Sequence, residues 1–93
     1  MTIVEDYLNY VKKYTQIHGE KTLVLMQVGS FFECYAILMP DGTYKGSNIQ
    51  EFASINDMII SKKNVCVGEL NTVMAGFGVS QLEKYVKKML QYN

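Results

Sequence analysis

The fold is decided by residues 26–35, Met-Gln-Val-Gly-Ser-Phe-Phe-Glu-Cys-Tyr. A Gly-Ser pair separates two strand-forming segments, and a two-residue joint of this kind is typical of a tight β-hairpin. Because side chains alternate between the faces of a strand, Phe31 and Glu33 share one face. Phe32 and Cys34 share the other face and are expected to enter the core. An outward Phe31 beside an outward Glu33 is poor packing, so the pair indicates recognition chemistry.

The segment before this hairpin predicts a helix over residues 3–17. Thr2 and Glu5 have the spacing of a capping box, in which each side chain satisfies an amide of the first turn. Apolar residues then recur at helical spacing, and Tyr7 and Tyr14 fall on the side expected to face the core. A glycine two residues after this segment is a natural stop.

Two further helices are predicted after the hairpin. Asn48 offers a cap for a brief second helix. The buried side of that helix is expected to comprise Ile49, Phe52, Ile55 and Ile59. Ser80 and Glu83 repeat the capping-box pattern at the start of the last helix. The inward residues of the last helix are expected to be Leu82, Tyr85, Val86, Met89 and Leu90.

Several segments predict β-strands, and the first two are expected to pair as an antiparallel hairpin. In chain order the predicted strands are residues 22–28, 31–39, 58–61, 65–68 and 72–76. Residues 43–47 are expected to form either a short strand or a loop. Residues 62–64, Lys-Lys-Asn, are expected to form a basic turn. This order of elements predicts a single domain, residues 1–93, of α/β (α+β) class with a mixed β-sheet flanked by about three helices.

Composition limits the classes of function open to the chain. Of its 93 residues 48% are apolar, which suits one small folded domain. Nine lysines balance nine acidic residues, and the sequence contains no arginine. Because positive charge supplies much of the affinity of proteins for duplex DNA, this chain alone is expected to bind DNA weakly.

The sequence gives little support to metal, disulfide or membrane chemistry. Cys34 and Cys66 are widely separated and His18 is the single histidine, so neither a zinc site nor a disulfide framework is predicted. The chain is expected to be intracellular, with reduced thiols. No apolar run approaches the roughly 18 residues that span a membrane, and no membrane partner is expected.

The hairpin motif resembles a known family when it is taken with two later segments. Residues 29–33, Gly-Ser-Phe-Phe-Glu, are followed about forty residues later by residues 73–76, Val-Met-Ala-Gly. An amphipathic segment containing Glu83, Tyr85 and Val86 comes next. Over nearly the whole chain, this arrangement resembles the N-terminal mismatch-recognition domain of the MutS family of DNA mismatch-repair ATPases.

The resemblance implies a function in DNA repair, the recognition of duplex DNA that carries mismatches or small loops. It implies that Phe31 stacks on a mispaired or unpaired base from the minor groove and kinks the duplex, while Glu33 hydrogen-bonds the same base. Lys62 and Lys63 are candidate phosphate contacts. Met74 is a further candidate, in a segment expected to be architectural and to place a loop near the groove.

The same resemblance implies partners and cofactors outside the chain. The remaining domains of a MutS-like clamp would surround the duplex, with this chain as a fragment, and a distant domain would bind ATP and Mg. No cofactor is expected for the chain itself. Catalysis is not expected either, because the sequence has neither a nucleophile–base pair nor a phosphate-binding loop motif. The alternative is a non-catalytic protein-interaction or scaffolding module on the same fold, which the neutral charge and absent arginine favour.

Overall fold

The computed structural model describes residues 2–91, which form three α-helices and a five-stranded sheet. The helices are α1 (Ile3–His18), α2 (Ile49–Ile55) and α3 (Leu82–Leu90), the last preceded by a 3₁₀ turn at Val79–Gln81. The strands are β1 (Met26–Val28), β2 (Phe31–Leu38), β3 (Tyr44–Lys45), β4 (Ser61–Val67) and β5 (Leu70–Gly78). The predicted class, α/β with about three helices beside one sheet, is confirmed.

The strands of the sheet have the order β1-β2-β5-β4, and β3 adds a short pair at the end of β2. The sequence predicts a mixed sheet, but every strand pair within residues 2–91 is antiparallel. The connections account for two of these antiparallel pairs. Two-residue turns join β1 to β2 and β4 to β5, and a turn this short can only reverse the chain.

Both ends of α1 agree with the sequence prediction. The Thr2 hydroxyl accepts from the Glu5 amide at 3.2 Å, and the Thr2 amide donates to the Glu5 carboxylate at 3.0 Å, which completes the capping box. Gly19 follows the helix with a φ of 102°, a value that favours glycine. The inner side of the helix is buried through Val4, Tyr7 and Val11.

The outer side of α1 carries a row of stacked rings. Tyr14 is predicted to face the core, but its side chain is 37% exposed. Its ring centroid lies 6.5 Å from that of Tyr10 and 6.3 Å from that of His18, with interplanar angles of 18° and 15°. Tyr14 lies almost one turn beyond Val11, the last buried residue of the helix, so its position along the helix axis leaves it exposed.

β1 covers only three of the residues 22–28 that were predicted to be extended. The earlier residues of this segment hydrogen-bond to side chains instead. The Asn48 side-chain amide donates to the Thr22 carbonyl at 2.9 Å, and the Tyr7 hydroxyl donates to the Val24 carbonyl at 2.7 Å. These donors replace a neighbouring strand, so the apolar run packs against the core without strand pairing.

The basic segment at residues 62–64 belongs to β4 and is not the predicted turn. It pairs with β5, and Lys63 lies opposite Thr72. The chain reverses instead at Gly68, which has a φ of 62°. A turn needs this positive φ, and glycine adopts it without a steric penalty, so the hairpin closes there.

α2 ends earlier than its apolar pattern suggests. Its last residue is Ile55, and Asp57 has a φ of 53°, which a right-handed helix cannot accommodate. Ile59, predicted on the buried side of this helix, is 85% exposed. The strand predicted over residues 58–61 is reduced to Ser61, the first residue of β4.

α3 starts differently from its predicted capping box. Ser80 lies in the 3₁₀ turn, and the N-cap residue is Gln81, whose side chain makes no capping hydrogen bond. Leu90, predicted to face inward, is 67% exposed because it is the last residue of the helix. The residues of α3 that pack on the core include Leu82, Tyr85 and Met89.

Candidate nucleic-acid interface

Phe31 is the first residue of β2, and its backbone is held from both sides. It lies opposite Val28 in the β1–β2 hairpin and opposite Gly78 of β5. The turn before it is fastened to the end of β5, because the Val79 amide donates to the Ser30 carbonyl at 2.8 Å. The backbone of Phe31 is thereby fixed, while its side chain is 55% exposed, as predicted.

The face of the sheet that carries Phe31 continues through Glu33 and Tyr35 along β2. On β5, Gly76 lies opposite Glu33, and Met74 lies opposite Tyr35. Directly opposed residues share a face, so Met74 belongs to the same side as Phe31. It is half-buried and packs against the core.

The two candidate lysines of β4 belong to different faces. Lys63 lies opposite Thr72, on the face that carries Phe31. Lys62 lies opposite the buried Val73, on the other face, and is exposed. The structure therefore brings Lys63, and not Lys62, to the Phe31 face.

Glu33 is predicted to face solvent, but it is only 9% exposed. The Tyr35 hydroxyl donates to its Oε1 atom, and Lys63 Nζ lies 3.6 Å from the same oxygen. These two partners explain why a carboxylate tolerates this burial. The opposing Gly76 allows the strands to approach closely, since a Cβ there would lie 3.2 Å from the Cα and Cγ atoms of Glu33.

Tyr35 is fully buried, which fixes the position of its hydroxyl. Its ring packs edge-on against Tyr7, with the centroids 5.1 Å apart. Burial raises the pKa of Tyr35, and the hydrogen bond to Glu33 and the charge of that carboxylate raise it further. The hydroxyl therefore remains a donor to Glu33 at neutral pH.

Lys63 is engaged by the same two residues. Its Nζ lies 5.2 Å from the centroid of the Tyr35 ring in addition to its contact with Glu33, and 24% of its side chain is exposed. Lys63 is therefore not a free cation in this structure. A phosphate contact would require it to leave Glu33.

Sequence reasoning gave no role to Tyr35 at this site, and it assigned Gly76 only to a segment expected to be architectural, where backbones pack closely. The position of Tyr35 had a usable signal, because a residue two positions after Glu33 in a strand lies on the same face. For Gly76, close packing of backbones was expected, but its place opposite Glu33 depends on the register between β2 and β5, which are distant in sequence.

A second polar cluster is buried between α1 and β2. The Tyr7 hydroxyl lies 3.1 Å from the Cys34 sulfur, and Ser47 Oγ lies 3.8 Å from that sulfur. Burial raises the pKa of the Cys34 thiol and that of the Tyr7 hydroxyl. Both groups are therefore neutral in the folded chain at neutral pH.

Other kinds of site find no support within residues 2–91. No three His, Cys, Asp or Glu side chains there are grouped to hold a metal ion, and no helix there has the length and hydropathy to cross a membrane. A groove of about 540 Å³ borders α1 and the loop before α2, but Phe31 and Glu33 are not among its lining residues. The candidate interface is an exposed ring at the end of a sheet, a shape suited to a large partner.

Comparison with known proteins does not identify a family. No protein-family model matches the chain, and no curated protein is significantly similar to it. The resemblance to the MutS domain therefore depends on residues 29–33, residues 73–76 and the segment around Tyr85.

Proposed function

We propose that this chain is a non-catalytic module that recognises mismatched or looped duplex DNA, with Phe31 as the stacking ring and Glu33 as the acid that contacts the base. The observation that carries the proposal is the exposed ring of Phe31 on a backbone held between two neighbouring strands. The resemblance of residues 29–33 and 73–76 to the MutS mismatch-recognition domain supports the same function.

A side chain that inserts into DNA must replace stacking between bases, at a cost of about a few kcal/mol for each unstacked step. A flat ring on a fixed backbone suits this task because little further ordering of the protein is needed. The cost is lowest where base pairing is already defective. The ring of Phe31 would therefore insert most readily at mismatches, where the DNA is most deformable, and it would not read the base sequence.

Glu33 lies two residues beyond Phe31 on the same face, about 7 Å along the strand. Both polar contacts that the structure gives its carboxylate are made by Oε1. Oε2 is therefore the oxygen that would accept a hydrogen bond from the base on which Phe31 stacks.

The neutral charge implies dependence on partners. Phosphate contacts supply most of the sequence-independent affinity for DNA, and this chain has no excess of cations to make them. In the proposed function the remaining domains of a MutS-like clamp supply that affinity and bind ATP and Mg, while this module supplies the probe for mismatches.

The experiment that tests the proposal is an NMR titration of the 93-residue chain with a duplex that carries one unpaired thymine, compared with the matched duplex. We expect chemical-shift changes centred on Phe31 and Glu33 that are larger for the defective duplex. Phe31→Ala should remove the difference, since loss of a stacking ring costs about 1–3 kcal/mol per base. The method registers the weak binding expected of a neutral chain.

One control and one further variant of the site make the titration specific. Ile59→Ala removes a side chain that is more exposed than Phe31 but lies outside the site, and it should leave the titration unchanged. Glu33→Gln should retain or strengthen binding, because it removes repulsion from phosphates, while narrowing the gap between defective and matched DNA. No mismatch-dependent shift in a folded sample, or equal effects of Ile59→Ala and Phe31→Ala, would count against the proposal.

A protein-interaction module is the second candidate function. The observation that favours it is the engagement of Lys63 by Glu33, which leaves no free cation on β4 beside Phe31. In this case Phe31 would anchor a protein partner, and the shifts seen with DNA would be small, equal for both duplexes and unchanged in Phe31→Ala.

A further inference from the structure

The proposed function requires a carboxylate to approach DNA, where phosphates repel it. In the free chain that charge is already compensated, because Glu33 Oε1 accepts from the Tyr35 hydroxyl and faces Lys63 Nζ at 3.6 Å. Removal of either partner would leave the charge of Glu33, whose side chain is only 12% exposed, with a single donor.

The two partners of Glu33 differ in how firmly they are held. Tyr35 is fully buried, and its ring packs edge-on against Tyr7, so its hydroxyl cannot leave without disrupting the core. Lys63 contacts Glu33 at a distance longer than the roughly 2.7–2.9 Å of a charge-assisted hydrogen bond. Its side chain is 24% exposed and has a flexible stem, so it can move.

We propose that Tyr35 is the positioning residue of Glu33 and that Lys63 is its exchangeable counter-ion, which passes to a backbone phosphate when a base reaches the carboxylate. The inference rests on the proposed function. Tyr35 stays in place during the exchange, so Oε1 keeps one donor and the carboxylate keeps its orientation. The side chain that screens Glu33 in the free protein then offsets the phosphate charge in the complex.

NMR titrations at several salt concentrations test this exchange. They measure the affinity of the 93-residue chain for the duplex with one unpaired thymine and for its matched duplex. Lys63→Gln removes one phosphate contact, so the slope of log K against log salt should become shallower by about 0.9. Its loss of affinity should be largest at low salt.

Tyr35→Phe addresses the positioning residue separately. This substitution keeps the buried ring and its contact with Tyr7 and removes only the donor to Glu33. We expect an unchanged salt slope and a roughly tenfold fall in the ratio of affinities for defective and matched DNA, the size of effect typical for loss of one hydrogen bond to a charged group. A merely structural role would lower both affinities equally through the folded fraction, and a thermal melt of each variant measures that fraction.

Lys84 provides the matched control for Lys63. Its Nζ also lies 5.2 Å from the centroid of a tyrosine ring, that of Tyr85, but it is on α3 and makes no contact with Glu33. Lys84→Gln should leave the salt slope and the affinity ratio unchanged. Equal slopes in native and Lys63→Gln proteins, or equal changes in the two lysine variants, would overturn the exchange.

The outcomes separate this inference from the function on which it rests. A native chain without preference for the defective duplex would overturn both. The native chain could prefer the defective duplex and lose that preference in Phe31→Ala, while the salt slope stays unchanged in Lys63→Gln. This result would retain the proposed function and overturn the exchange. Unchanged discrimination in folded Tyr35→Phe would overturn the positioning role alone.

Discussion

At the scale of single residues, Gly76 determines how closely β5 approaches Glu33. A Cβ at this position would lie 2.5 Å from the Phe32 carbonyl oxygen and 3.2 Å from Glu33 atoms. Two residues further along the strand, the nearest neighbour that a Cβ on Gly78 would meet is the Ser30 carbonyl oxygen at 3.9 Å. The two glycines share a face and a strand but differ in the space beside them.

Gly76→Ala is therefore expected to lower the free energy of unfolding by about 1–3 kcal/mol, because backbone atoms must move to admit the methyl group. Gly78→Ala is the matched control and should change it by less than about 0.5 kcal/mol. Urea unfolding followed by circular dichroism measures both. Equal losses in the two variants would mean that the close approach at Gly76 is not the cause.

The sequence predicted the exposed ring of Phe31 but not the environment of Glu33. Strand alternation is a local property, and it placed both residues on one face correctly. The burial of Glu33 depends on Lys63, which arrives from β4 through a pairing with β5 that local patterns do not contain. The face of Glu33 and the position of Tyr35 beside it were thus open to local prediction, whereas the contact with Lys63 depends on how the sheet assembles.

At the scale of elements, the two predicted capping boxes had opposite outcomes. The Thr2 side chain caps α1 through the Glu5 amide, whereas Ser80 lies in a 3₁₀ turn and caps no helix. The sequence pattern is the same at both sites. The difference arises because residues 79–81 already form a 3₁₀ turn, whereas an N-cap residue needs a non-helical backbone conformation.

These two positions form a matched pair for measurement. Thr2→Ala should lower the free energy of unfolding by about 1 kcal/mol, since the first turn of α1 loses the acceptor for its Glu5 amide. Ser80→Ala should change it by less than about 0.5 kcal/mol. Thermal or urea unfolding measures both variants. If Ser80→Ala lowered the free energy of unfolding more than Thr2→Ala, the side-chain cap would lie at α3 and not at α1.

The first helix was predicted more closely than the first strand, for a related reason. The first helix was expected over residues 3–17 and is observed over Ile3–His18. The agreement is close because the capping box and the helical spacing both involve residues that are near one another in sequence. The strand expected over residues 22–28 pairs only over Met26–Val28, and the Tyr7 and Asn48 side chains donate to carbonyls of the residues before it. The sequence shows that such a segment is apolar, but it does not show whether a strand or a side chain hydrogen-bonds to its backbone.

At the scale of the whole molecule, three buried hydroxyl and thiol groups couple stability to alkaline pH. Burial raises the pKa of Cys34 above its ordinary value of 9.0 and the pKa values of Tyr7 and Tyr35 above 10.0. As the pH rises, these groups therefore ionise first in the unfolded chain. Their contribution to the free energy of unfolding is complete below pH 9.0 and declines above it.

Urea unfolding between pH 7 and pH 11 should accordingly show a constant free energy at first and a progressive loss above about pH 9. Tyr7→Phe should reduce the slope of that loss, because one of the groups with a raised pKa is removed. Tyr10→Phe, which alters an exposed ring of the same helix, is the control and should keep the native slope. A flat profile up to pH 11 would contradict the burial of these groups.

The order of the sheet has one consequence that does not depend on any ligand. β4 is the last strand in the order β1-β2-β5-β4, so its outer backbone groups lie at the sheet margin. An edge strand of this kind can pair with the edge of another copy, and proteins commonly oppose such growth with lysine on the strand. Lys62, exposed on β4, supplies that charge. We therefore expect the charge of Lys62 to oppose the addition of a second sheet at this edge.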